Sequence, residues 1–120
     1  MTTDILESAR PYLNDLKDFC SESDVVVHYF PIQRFETRLS LITEMLWDDK
    51  DYQLAESYFQ RLINGELAPA IVVTGNADNV VDGFHRLYAY RKWKSIGGPS
   101  TIPTINLSDL YKIVDDWYDA

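Results

Sequence analysis

The sequence predicts an α+β domain in which a small mixed β-sheet is covered by helices, and three observations support this prediction. Four short segments are rich in β-branched and aromatic residues, as strands are. Five segments carry apolar residues at helical spacing, so that the elements follow the order α, β, α, α, β, β, α, β, α. The length of 120 residues, without a repeat or a linker-like segment, suits a single domain over residues 1–120.

The first two elements lie near the N-terminus. Residues 1–24 form a predicted helical segment, because apolar residues recur at helical spacing between Asp4 and Cys20. Pro11 must begin, kink or divide that helix. The run "DVVVHYFP", residues 24–31, is β-branched and aromatic and ends in proline, so it predicts the first strand.

The middle of the chain predicts two helices and a hairpin. Residues 38–66 show two helical stripes separated by the acidic turn "WDDKD". The stretch "APAIVVTGNADNVVDG" contains a strand, a turn rich in Gly, Asn and Asp, and a second strand, which predicts a β-hairpin at about residues 69–82. This hairpin would deliver Gly83 to the start of a helix over residues 84–96.

A short strand and a helix close the predicted order. Residues 101–107 form the strand, and since Pro103 cannot donate a ladder hydrogen bond, we expect an edge strand or the start of a strand. Ser108 is the expected N-cap of the final helix, residues 108–120.

The net charge of −8 is distributed unevenly along the chain. Residues 1–24 hold six acidic residues against two basic ones, and the terminal "DDWYDA" adds three acidic residues. Residues 86–94 reverse this balance, with four basic residues and no acidic one. Because a duplex-binding protein needs many contacts from Lys and Arg to phosphates, duplex DNA is not an expected partner, and the basic stretch suits a small anion better.

Cysteine usage and hydropathy indicate a cytoplasmic protein. Cys20 is the single cysteine, which excludes an intramolecular disulfide, and no Cys/His set has the spacing of a zinc site, so we predict no metal-ligating residues. The N-terminus has acidic residues where a signal peptide has a basic region, and no apolar run approaches the roughly 20 residues that span a bilayer. We therefore expect neither export nor membrane insertion.

The stretch "VVDGFHRLYAY" carries the main functional signal. His85 and Arg86 follow Gly83 at the predicted start of a helix, where N–H groups are unpaired and the helix dipole is positive. Cations in that turn are unfavourable unless an anion lies close by, so the arrangement predicts a phosphate site. The alternative is a tight turn with an exposed His85, an Arg86 paired to an acid, and an Asp82 that bonds its own backbone.

The pattern Gly-x-x-Arg-x-x-Ala, from Gly83 to Ala89 at a strand-to-helix junction, resembles the signature of the ParB/sulfiredoxin superfamily. The flanking "LINGELAPAIVV" and "GGPSTIPTINL" fall where that family has its preceding helix and strand and its following Ile-Pro strand. The resemblance therefore covers residues 25–107 and implies a ParB/sulfiredoxin-like fold. It also implies a stand-alone nucleotide-binding core, of a kind frequent on phages and mobile elements.

The resemblance also implies particular site residues. Gly83 and the N–H groups of Phe84 and His85 would cradle the phosphates of ATP, ADP or CTP, with or without Mg²⁺, and Arg86 would clamp them. The implied catalytic candidates are His85, Asp82, which would fix His85 or assist a metal, and Glu36, as a base like that of the related free-serine kinases.

Three departures from the family pattern leave enzymatic activity uncertain. Phe84 occupies the position of the catalytic cysteine of sulfiredoxins, and a phenyl ring cannot act as that nucleophile. ParB proteins continue into a helix-turn-helix domain, whereas this sequence ends. The Glu-Asn-x-x-Arg element that ParB proteins also use is missing.

Two functions are therefore consistent with the sequence. The first is a nucleotide (phosphate)-binding module, which would work as an ATPase, a phosphotransferase or a nuclease, or without turnover. The alternative is a non-enzymatic acidic interaction protein, such as a phage or mobile-element inhibitor of a host protein. It would bind its protein partner through an acidic or aromatic surface.

Overall fold

The computed structural model describes residues 4–119. Five α-helices are present in this range: α1 (Arg10–Asp15), α2 (Glu36–Leu46), α3 (Asp49–Ile63), α4 (Phe84–Ser95) and α5 (Leu107–Asp119). The four strands are β1 (Val27–Pro31), β2 (Ile71–Thr74), β3 (Asn79–Asp82) and β4 (Thr101–Asn106). Short 3-10 helices occupy Glu7–Ala9, Glu22–Asp24 and Ile32–Phe35.

The strands form one mixed sheet in the order β1-β4-β2-β3. β1 pairs antiparallel with β4, and β2 pairs antiparallel with β3, while β2 and β4 are parallel. The predicted α+β class and mixed sheet are thus confirmed. The finer likeness to a ParB/sulfiredoxin fold stays a prediction.

Helices cover both faces of the sheet. One core lies between the sheet and α2, α3 and α4, with Phe35, Leu39 and Leu87 among its fully buried side chains. A second core lies on the opposite face, where Leu13 of α1 and Leu110 of α5 pack against the sheet. The molecule therefore has three layers, which we call the α1/α5 layer, the sheet and the α2–α4 layer.

The expected edge position of the strand with Pro103 is wrong, because β4 lies between β1 and β2. Pro103 is paired with Tyr29 of β1, whereas pairing with β2 begins one residue later, at Thr104. The missing N–H of Pro103 therefore interrupts no hydrogen bond to β2, and the proline is tolerated in a central strand.

Pro11 lies in the first turn of a short α1, so it begins that helix, which is one of the three roles expected for it. The start of the last helix differs from the prediction. Ser108 does not cap α5, which starts at Leu107. Instead, the Asn106 side chain accepts from the Ser108 N–H at 3.0 Å, and the Ser108 hydroxyl donates to the Gly75 carbonyl at 3.3 Å.

The acidic turn between α2 and α3 has a defined structural role. Asp48 is the N-cap of α3 and accepts hydrogen bonds from the N–H groups of Lys50 and Asp51. The Asp51 carboxylate accepts in return from the Asp48 N–H at 3.0 Å, which completes a capping box. Within residues 4–119, no helix has both the length and the apolar character needed to cross a membrane.

Candidate functional site

The junction between β3 and α4 is built as the sequence predicts. β3 ends at Asp82, α4 begins at Phe84, and Gly83 connects them with a positive φ of 116°. A Cβ at Gly83 would lie 2.6 Å from Cγ2 of Ile71. Glycine is therefore required twice, by the left-handed backbone and by close packing against β2.

The start of α4 offers main-chain donors. The first hydrogen bond of the helix runs from the Leu87 N–H to the Gly83 carbonyl at 2.8 Å. The N–H groups of residues 84–86 consequently have no acceptor inside the helix, and no side chain of the described residues caps them. The donors that the predicted phosphate site needs are therefore present.

Arg86, the expected clamp, points into the protein. It is 6% exposed, and its Nη1 donates to the carbonyls of Pro69 and Ala70 at 3.2 and 3.1 Å. Its Nη2 lies 3.2 Å from Oδ2 of Asp82. The guanidinium thus ties the start of α4 to the segment that leads into β2, and a phosphate contact would require it to leave these partners.

His85 faces α3. Its Nε2 lies 2.9 Å from Oδ1 of Asp51, and its ring stacks on Trp47 with the centroids 4.9 Å apart. The pKa of Asp51 is lowered, first by the hydrogen bond from the Asp48 N–H and then by the one from His85. Because this imidazole is about one-third exposed, it is still accessible from solvent.

These contacts explain why His85 and Arg86 open a helix. Asp51 is within hydrogen-bonding distance of His85, and Asp82 is paired with Arg86. Both carboxylates lie at the positive end of the α4 dipole, which favours them. The positive charge of the first turn is therefore already compensated by protein carboxylates, which matches the pairing of Arg86 with an acid in the alternative interpretation.

Glu36, the third catalytic candidate, is not brought to this junction. Its Oε1 lies 3.9 Å from Nζ of Lys94, near the other end of α4. Residues 85 and 94 are separated by roughly 13 Å along a helix. Of the candidates, Asp82, Gly83, Phe84, His85 and Arg86 come together, whereas Glu36 lies apart.

A cavity of about 250 Å³, which the sequence did not predict, lies beside the inner face of α4. Tyr90 and Trp93 of α4, Leu67 before β2, Pro99 and Pro103 of the β4 region, and Tyr29 of β1 are among its lining residues. The cavity depends on contacts between distant segments, so the only local signal for it was the i, i+3 spacing of Tyr90 and Trp93, which places both on one helical face.

The acidic segments assemble in one layer, a second feature that the sequence did not predict. Residues 4–24 and α5 lie in the same layer and together hold ten acidic and three basic residues, a net −7 of the −8 for the whole chain. In that layer Phe19 packs edge-on against Trp117, with the centroids 5.4 Å apart. Trp117 and Tyr118 remain 62% and 70% exposed. We call this surface the acidic face.

Comparisons with protein-family models, with curated proteins and with solved structures found no match to this chain. The relation to the ParB/sulfiredoxin superfamily therefore stays a resemblance of motifs. Among the described residues, no group of three or more His, Cys, Asp or Glu side chains is arranged to hold a metal ion.

Proposed function

We propose that this protein is a non-enzymatic interaction module that binds a basic protein partner through the acidic face. The observation that carries the proposal is the concentration of seven of the eight net negative charges in the α1/α5 layer. The remaining residues, 25–106, hold nine acidic and eight basic residues and are nearly neutral. A charge asymmetry of this size steers a basic partner to one side of the molecule.

The exposed aromatic rings give the acidic face a second property of binding surfaces. Trp and Tyr are enriched among the side chains that dominate binding energy at protein interfaces. Trp117 and Tyr118 are both exposed and both pack against Phe19, so their rings are held in place before a partner arrives. Preorganised aromatic rings lose little conformational entropy on binding.

A basic partner of this kind is a protein whose surface binds nucleic acid. Such surfaces carry many Lys and Arg side chains that otherwise contact phosphates. A compact acidic protein that covers such a surface would compete with the nucleic acid, which agrees with an inhibitor carried by a phage or a mobile element.

The test uses charge reversal on two sides of the molecule. Asp115→Lys with Asp116→Lys changes the acidic face, whereas Glu44→Lys changes an exposed position on α2, on the opposite side of the sheet. We expect a partner captured in stoichiometric amounts by the parent to be retained by the Glu44 variant and lost by the double variant. Equal capture by all three proteins, or no stoichiometric partner, would reject the proposal.

A second candidate is nucleotide binding at the start of α4, favoured by the uncapped N–H groups of residues 84–86. The ligand would be ATP, ADP or CTP, with or without Mg²⁺, and its phosphates would meet His85 and these N–H groups. Any turnover, as an ATPase, a phosphotransferase or a nuclease, would depend on Asp82, His85 or Glu36.

Titration calorimetry with the three nucleotides, each with and without Mg²⁺, tests the second candidate. His85→Ala should weaken the affinity, while Lys94→Ala, at the other end of α4, should leave it unchanged within a few-fold. Absence of binding heat and of any thermal shift with every nucleotide would reject nucleotide binding and leave the first proposal untouched.

A further inference from the structure

The cavity beside α4 is bordered by Tyr90, whose hydroxyl has no hydrogen-bond partner among the described residues. Tyr90 lines the cavity and is only 7% exposed. Among residues 4–119, the Tyr90 hydroxyl makes no hydrogen bond, and no fully buried side-chain N or O atom lacks a partner. The hydroxyl must therefore keep some contact with solvent space, and the cavity is the space that Tyr90 borders.

This hydroxyl is available as a hydrogen-bond donor. Burial, more than the nearby Tyr29, raises the pKa of Tyr90 to about 12, although Arg86 acts in the opposite direction. The phenol is accordingly protonated at neutral pH. A ligand that fills the cavity removes solvent from this hydroxyl, so a ligand without an acceptor would leave a desolvated polar group unpaired, which is costly.

The rest of the lining restricts the chemical class of the ligand that carries the acceptor. The walls are mainly apolar, with aromatic rings from Tyr29 and Trp93 and proline rings from Pro99 and Pro103. Among the described lining residues Glu66 alone is formally charged, so an anionic ligand such as a phosphate is disfavoured. Apolar cavities of about 150 Å³ accept benzene, so the 250 Å³ present here suffice for a slightly larger ring system.

We infer that this cavity binds a small, neutral, planar aromatic molecule of one or two fused rings, whose oxygen accepts a hydrogen bond from Tyr90. The aromatic and proline rings of the wall contact the faces and edges of the ligand. The site lies on the inner side of α4, between that helix and the beginning of β4, and Ile5 of the N-terminal segment borders it. No acidic residue of residues 4–24 or of α5 is among its described lining residues, so the inference does not rest on the proposed protein partner.

The experiment uses coumarin as the probe, since it is a neutral bicycle with a carbonyl oxygen, and naphthalene as a probe of similar shape without an acceptor. Binding is followed by changes in the amide NMR signals of the ¹⁵N-labelled protein. We expect coumarin to shift the signals of Ala68, Trp93 and Thr101, which line the cavity. Tyr90→Phe keeps the ring, and should raise the Kd for coumarin about 2- to 10-fold, the effect of one neutral hydrogen bond, while the Kd for naphthalene stays unchanged.

Tyr88→Phe is the matched control, because Tyr88 lies on the same helix but packs against Trp47 and Tyr52. This variant should bind both probes like the parent. The inference is overturned if coumarin shifts none of the lining signals up to its solubility limit. It is also overturned if Tyr90→Phe leaves the coumarin Kd unchanged, or weakens both probes equally.

Discussion

Arg86 shows how a residue of a binding motif can be committed to the fold. Its guanidinium lies in a nearly solvent-free position, donates to the carbonyls of Pro69 and Ala70, and pairs with Asp82. The Pro69 carbonyl is buried before β2 and has no other donor among the described residues, whereas the Ala70 carbonyl also accepts from the Ser8 hydroxyl. The side chain therefore stabilises the contact between the hairpin and the start of α4.

Replacing Arg86 should consequently affect folding more than its position in a motif suggests. We expect Arg86→Ala to lower the free energy of unfolding by about 2–3 kcal/mol, as hydrogen bonds from a charged donor are lost and the buried Pro69 carbonyl is left unpaired. Urea denaturation measures this change. Arg91→Ala, which removes a cation lying 5.1 Å from the Tyr88 ring centroid, should cost about 1 kcal/mol or less. Equal losses in the two variants would contradict the structural role of Arg86.

Position 83 requires glycine for two separate reasons, its left-handed backbone conformation and the lack of space for a Cβ. Gly97 shares the first, with φ of 99°, but a Cβ there would meet nothing within 4 Å. Gly97→Ala should therefore cost only the strain of a left-handed alanine, about 1 kcal/mol. Gly83→Ala should cost about 2–4 kcal/mol, because the Ile71 side chain must also move. Thermal or urea unfolding of both variants checks this order, and a larger loss at Gly97 would contradict it.

At the scale of elements, α3 and α4 are joined by pairs of polar side chains beside their apolar contacts in the core. His85 of α4 lies beside Asp51 of α3, and Lys92 of α4 binds Glu56 of α3. Lys92 also lowers the pKa of Glu56 and lies 4.5 Å from the Phe59 ring centroid. The first turn of α3 thus contributes both a cap for its own helix and a partner for the next one.

The Asp51 carboxylate makes this connection pH-dependent. The pKa of Asp51 is lowered in the folded protein. Its ionised carboxylate therefore stabilises the fold at pH values above the ordinary pKa of 3.8, and this stabilisation is lost as the pH falls through the lowered pKa of the folded state. Asp51→Asn keeps the size of the side chain and removes the charge. We expect this variant to be less stable than the parent at neutral pH and to approach the parent in free energy of unfolding as the pH falls below 3.8.

Asp49→Asn is the control for this pH series. Asp49 lies in the same turn of α3 but outside the capping box. Its substitution should change the free energy of unfolding less than that of Asp51 at neutral pH. A difference between parent and Asp51→Asn that stayed constant down to the acid limit would show that the Asp51 charge does not contribute.

At the scale of the whole molecule, the net charge is concentrated in one layer. The acidic face carries net −7, and its like charges repel each other in the folded state more than in an expanded chain. Part of this repulsion is offset locally, since Arg10 pairs with Asp4 and Glu22. The remaining excess is unfavourable for folding unless a partner compensates it.

Stability should therefore rise with ionic strength. Between about 0.01 M and 0.15 M salt the Debye length shortens from about 30 Å to about 8 Å, which screens the repulsion within the acidic face. We expect the free energy of unfolding from urea titrations to increase over this range. Asp115→Lys with Asp116→Lys should be more stable than the parent at low salt and less sensitive to salt. A parent whose stability is independent of salt would contradict this account.

The amino-acid sequence by itself determined the elements whose signals are local. The hairpin, the turn at Gly83 and the helix from Phe84 follow from residues that are neighbours in the chain, because a positive φ, a strand composition or a helical stripe is a property of a few consecutive residues. The α+β class and the mixed sheet could be predicted from the order of these elements. The main-chain donors of the candidate site could be predicted for the same reason.

Only the tertiary structure decided what surrounds these elements. Pro103 is tolerated in a central strand because β2 pairs with β4 only from Thr104 onwards, and nothing in the sequence near Pro103 predicts where that pairing begins. Arg86 is buried because the segment leading into β2 supplies carbonyls from 16 and 17 residues away. The cavity beside Tyr90 and the acidic face likewise join segments from distant parts of the chain. Burial, charge compensation and cavities depend on contacts between such segments, so they are set by packing and not by local sequence.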